Sequence, residues 1–108
     1  MSNHDPKELL NSIESELRQL GLLVGPIQAP EIVHSVFGMA EMPFEHWLAR
    51  VFLPRAYQAI EANQLPAESQ VGIAALRNLD GRTEYDSLVT LLCEFDHSVQ
   101  TRSRSARL

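Results

Sequence analysis

The run "MPFEHWLARVFLPRAYQAIEANQLP", residues 42–66, is the strongest apolar helical pattern in the chain, yet it carries Pro54 in its middle. A proline inside a helix has no N–H for the carbonyl four residues back, and its ring presses on that turn. The neighbouring side chains sharpen the problem. At about 100° per residue, Phe44, Trp47, Leu48, Val51 and Phe52 form one stripe centred roughly 10° from Phe44. Leu53, Ala56, Tyr57 and Ile60 centre instead near roughly 170°. A straight helix would therefore change its apolar face at the proline. Either the helix kinks there and its second half meets new neighbours, or it stays nearly continuous and is covered on two flanks. Both readings make it the organising helix, with the Arg50 carbonyl deprived of its usual donor.

The flanking sequence reads as helices too. Asp5 is a good N-cap, Pro6 suits the first helical position, and Glu8 completes a capping-box pattern. Leu9, Leu10, Ile13, Leu17 and Leu20 form its apolar stripe, and Gly21 supplies the left-handed residue that ends it. "LLVGPIQAP" is a connection, and Pro30 opens a short helix through "EIVHSVF" closed by Gly38. The central helix runs from Pro43 to about Asn63 with Pro66 as its stop, and a short helix lies near "IAALRNL". The last helix has Thr83 as cap and Tyr85, Leu88, Val89, Leu92, Phe95 and Val99 on one face. No run alternates as a strand would. The expected fold is all-α, a small up-and-down bundle of about four helices around a Pro-interrupted central helix. Residues 1–99 form its single domain, and residues 100–108 read as a disordered basic tail.

Charge narrows the function classes. Three of the nine basic residues, Arg102, Arg104 and Arg107, lie in that tail; the remainder has six basic against fourteen acidic residues, a balance of -8. Such a body repels phosphate, so direct nucleic-acid binding is not expected. The single cysteine, Cys93, cannot form an internal disulfide, and no targeting or membrane-spanning segment is apparent. A cytoplasmic location fits.

The string from Trp47 to Arg55, "WLARVFLPR", followed by Leu65-Pro66 and flanked by early and late amphipathic helices, resembles the YqcC family of small bacterial proteins. The resemblance covers about residues 5 to 97. It implies a small all-α bundle and an association, by neighbouring genes, with a tRNA pseudouridine synthase. It carries over no catalytic residues.

The chemistry-bearing residues give little else. Cys93 and His97 offer two ligands at helical spacing, short of the three or four that zinc needs, so no metal and no cofactor are expected. Glu45 and His46 are adjacent and point to different helix faces. Neither a phosphate-cradling glycine loop nor a nucleophile elbow is present. The expectation is a non-enzymatic protein-interaction module, an accessory to a tRNA-modifying enzyme, docking through Trp47, Pro54, Arg55 and Tyr57. The alternative is a small anionic-ligand binder or cryptic enzyme with Arg55 at a pocket and His34 or Glu45 nearby. A third reading is a homodimer through exposed apolar residues such as Leu53.

Overall fold

A computed structural model describes residues 5–30, 42–65 and 69–106. Among these residues there are four helices and no strand, a small all-α bundle. The helix expected for "EIVHSVF" and the stop at Pro66 lie outside the described residues.

Helix α1 spans Pro6–Gln19 and buries Leu9, Leu10, Ile13 and Leu17. Asp5 holds the N-cap position, but its side chain makes no capping bond, so the capping box is not formed. The other end closes as expected. Gly21 takes φ +77°, and the N–H groups of Gly21 and Leu22 return to the carbonyls of Arg18 and Leu17 at 3.1 and 2.9 Å. That is a Schellman closure, which needs a residue free to adopt the left-handed conformation.

Helix α2 (residues 44–61) resolves the proline problem in a way neither expectation anticipated. It is α-helical over Phe44–Trp47, π-helical over Leu48–Phe52 and α-helical again over Leu53–Glu61. The Leu53 N–H reaches back five residues to the Leu48 carbonyl. A π-turn holds one residue more than an α-turn, so everything after it is rotated back by about 100°. The roughly 160° between the two apolar stripes thus shrinks to about 60°, a single broad face. Leu48, Val51 and Leu53 are all fully buried, as befits one face. The wider turn also gives the Pro54 ring room above the Arg50 carbonyl. Deleting Arg50 in a Pro54→Ala background removes the extra residue and the ring together. That variant is expected to keep its helical circular dichroism and a cooperative melt, because the downstream stripe stays in phase.

Helix α2 ends on Asn63, which takes φ 56° while the Gln64 N–H bonds the Ala59 carbonyl at 2.8 Å. Helix α3 is Val71–Asn78. A 3-10 turn at Thr83–Tyr85 then leads into α4, Asp86–Ala106. Among the described residues α4 touches each of the other three helices. It packs on both α1 and α3, and Phe95 meets Phe52 of α2 edge-on at 5.6 Å. The backbone of α4 stays helical to Ala106, past residue 99. Residues 100–106 contain neither Gly nor Pro, so no residue there breaks the helix.

Candidate functional site

The four residues expected from sequence do not share one surface. Trp47 is 8% exposed and stacks on Phe44 with ring centroids 5.6 Å apart, part of an aromatic cluster that continues to Phe52 and Phe95. Pro54 is buried on the π-turn, whereas Arg55 is exposed and forms no ion pair with a described residue. Tyr57 turns toward α1. Its hydroxyl lies 2.7 Å from Asn11 Oδ1 and 2.9 Å from Glu14 Oε1, and Glu14 in turn pairs with Arg18 at 2.8 Å. One phenolic proton serves one acceptor, and the carboxylate is the stronger of the two. Burial, with the Glu14 carboxylate adding to it, pushes the Tyr57 phenol well above its ordinary value. Tyr57 therefore fastens α2 to α1 as a neutral donor. Tyr57→Phe is expected to lower unfolding free energy by about 1 kcal/mol in a urea titration, the worth of one such bond.

Leu53 is fully buried, which removes it from any dimer surface. His34 lies outside the described residues. Glu45 reaches Arg82 at 3.4 Å, and Arg82 in turn stands 4.5 Å over the Tyr85 ring. The cleft beside the π-turn, about 590 Å³, is lined by His46, Ala49, Arg50 and Pro54 against the loop after α1. Arg55 is not among its walls; Arg50 is. Among the described residues no acidic side chain lines it.

Two features of α3 are missed by sequence reasoning. The first is its anchor. Asp96 of α4 is buried and accepts hydrogen bonds from the N–H groups of Val71 and Gly72 at 3.2 and 2.7 Å and from the Ser69 hydroxyl at 2.5 Å. Gln70, at the N-cap position, provides no side-chain bond, so a residue from another helix caps α3. Burial pushes the Asp96 carboxyl above its ordinary value, and the bonds from Ser69, Gly72 and Val71 offset this in part. The legible signal was an acid at the apolar register of α4, four residues after Leu92.

The second is the outer face of α3. Val71, Ala74 and Ala75 are buried against α4, yet Ile73 and Leu76, one turn apart, point outward at 49% and 54% exposure. Beside them the α3–α4 groove, about 370 Å³, is lined by Leu76, Val89, Thr90, Cys93, Glu94 and His97. Cys93 and His97 thus meet there, but among the described residues no group of three or more His, Cys, Asp or Glu side chains is placed to hold a metal ion. Burial, with Asp96 and Glu94 nearby, holds the Cys93 thiol above its ordinary value, which makes it a poor thiolate.

A family model described as tRNA pseudouridine synthase C matches residues 6–98, from the start of α1 almost to the last buried side chain of α4. The chain belongs to this family, DUF446. No curated protein and no solved structure matches it. Within this DUF446 chain the matched span takes in the π-turn, Asp96 and the α3–α4 groove, and it stops short of the three C-terminal arginines. No helix among its described residues is long and apolar enough to cross a membrane.

Proposed function

We propose that the chain is a non-enzymatic, cytoplasmic protein-interaction module that serves as an accessory to a tRNA-modifying enzyme, a pseudouridine synthase. The observation that carries this is α3. Helix α3 buries Val71, Ala74 and Ala75 yet carries a second apolar side, Ile73 and Leu76, left half-exposed by the described part of its own chain. The family description and the YqcC-like motif from Trp47 to Arg55 both support the choice of partner. Charge supports it as well. An enzyme that grips tRNA presents a basic surface, and the body of this chain is strongly acidic.

Mixing the purified chain with the tRNA pseudouridine synthase of the same host tests the proposal. A stoichiometric complex is expected in isothermal titration, together with no isomerisation of uridine in tRNA by the chain alone. No complex at tens of micromolar, or turnover without the synthase, would overturn it.

A second reading, a binder of a small anion, has the π-turn cleft in its favour, with Arg50 and His46 on its wall and no acid among its described lining. It moves the recognising cation from Arg55 to Arg50. Inorganic phosphate should then shift the His46 ring resonances in a saturable way; unchanged resonances at high phosphate would remove this reading.

A further inference from the structure

The groove between α3 and α4 allows the partner's contact element to be specified. Its apolar part comprises Leu76, Val89 and Cys93, extended along α3 by Ile73 one turn away. Its outer edge is acidic. Asp86, Thr90 and Glu94 follow one another on α4 at i, i+4 and i+8, all exposed. Asp80 follows just after α3; the cations near the groove are Arg77 on α3 and, when protonated, His97.

Three occupants can be compared: a second copy of the chain, an acidic or neutral segment, and a basic helix. A stable dimer buries roughly 800 Å² on each partner, far more than two half-exposed side chains and a shallow groove supply. Two copies would also bring together bodies of the same negative sign. An acidic segment would meet Asp86 and Glu94. A single amphipathic helix, by contrast, needs only a narrow apolar track for anchors at i, i+3 or i+4, and i+7. Lysine or arginine beside those anchors would face the acidic edge.

We infer that the α3–α4 groove receives one basic amphipathic helix of the partner. Its apolar anchors sit on Ile73, Leu76 and Val89, and its cationic side chains stand opposite Asp86 and Glu94. This rests on the reading of the chain as an interaction module, and it deepens that reading by naming the surface and the chemistry of what binds.

The probes are two designed helical peptides with the same leucine track, one flanked by lysine and the other by glutamate, each titrated into the isotope-labelled full chain. The lysine peptide is expected to move the amide resonances of Ile73, Leu76, Val89, Thr90 and Glu94, and to bind about tenfold more tightly than the glutamate peptide at low salt. Leu76→Asp should weaken it by about tenfold or more, while circular dichroism stays unchanged because Leu76 is half-exposed. Asp86→Asn with Glu94→Gln should erase the preference for lysine and leave the fold intact. Shifts confined to other surfaces, equal affinity for the two peptides, or unaltered binding to Leu76→Asp would overturn the inference. So would a dimer of the free chain in sedimentation that Leu76→Asp dissolves, since a second copy would then be the occupant.

The same variant separates this proposal from the functional one. A synthase complex that survives Leu76→Asp leaves the accessory role standing and removes the groove. A lysine peptide that binds the groove while the synthase fails to bind does the reverse.

Discussion

Asp96→Ala is expected to lower the melting temperature by roughly 10–20 °C, from a loss of about 3 kcal/mol. The carboxylate accepts the N–H groups of Val71 and Gly72 and the hydroxyl of Ser69 in a buried setting. Alanine leaves all three donors without this acceptor, and each buried unsatisfied donor costs about 1–3 kcal/mol, less whatever water repays. Asp96→Asn should cost less. Its amide oxygen can accept one or two of the bonds, while its NH₂ confronts a donor it cannot serve.

The pH dependence has a definite sign. Because the folded carboxyl titrates above its ordinary value, its contribution is complete below the unfolded carboxylate pKa of about 4. It is lost as pH rises through the folded value. The stability advantage of the native chain over the Asp96→Asn variant should therefore narrow from acid toward neutral pH in paired urea titrations. An advantage that widens over that range would show that its hydrogen bonds, and not its burial, govern the carboxyl.

Gly72→Ala is expected to destabilise the protein by about 2 kcal/mol, although alanine improves an isolated helix by about 1 kcal/mol over glycine. A Cβ at position 72 would lie 2.7 Å from the Cys93 Cα, 2.8 Å from its backbone nitrogen and 2.8 Å from its Sγ. Two of those atoms are backbone of α4, so α3 must retreat, stretching the bonds to Asp96 as it goes. Cys93→Gly should not rescue the variant, since it leaves both backbone contacts in place. A neutral or stabilising Gly72→Ala in chemical denaturation would mean that α3 and α4 are not in this close contact. Both substitutions, at Asp96 and at Gly72, act through the same junction, so their effects should fall short of additive.

Local order along the chain is legible because its signals are local. The stripe from Leu9 to Leu17, the left-handed closure at Gly21 and the buried run from Tyr85 to Val99 each depend on residues within a turn or two of one another. The departures all concern what lies across from a residue. Every residue of α2 beyond Phe52 can be assigned a face only once the turn size at Leu48–Phe52 is known, and a fixed rotation per residue cannot supply it. Arg55 draws attention in the sequence because it follows the proline, yet the π-turn puts Arg50 on the cleft wall instead. Ile73 and Leu76 read as part of an ordinary short helix, since no periodicity says which side of eight residues a neighbour will leave bare.

By itself the sequence determined an all-α chain, the ends of its strongest helix, the sites of most core side chains and the acidity of the body. Those follow from torsional preference, apolar spacing and charge, which act over one or two turns. Tertiary structure alone decided that a π-turn merges the two stripes of α2, that Asp96 caps a helix remote from it in sequence, and that α3 keeps an apolar face outward. Such outcomes depend on which helices press together, and that is settled by packing the whole bundle at once.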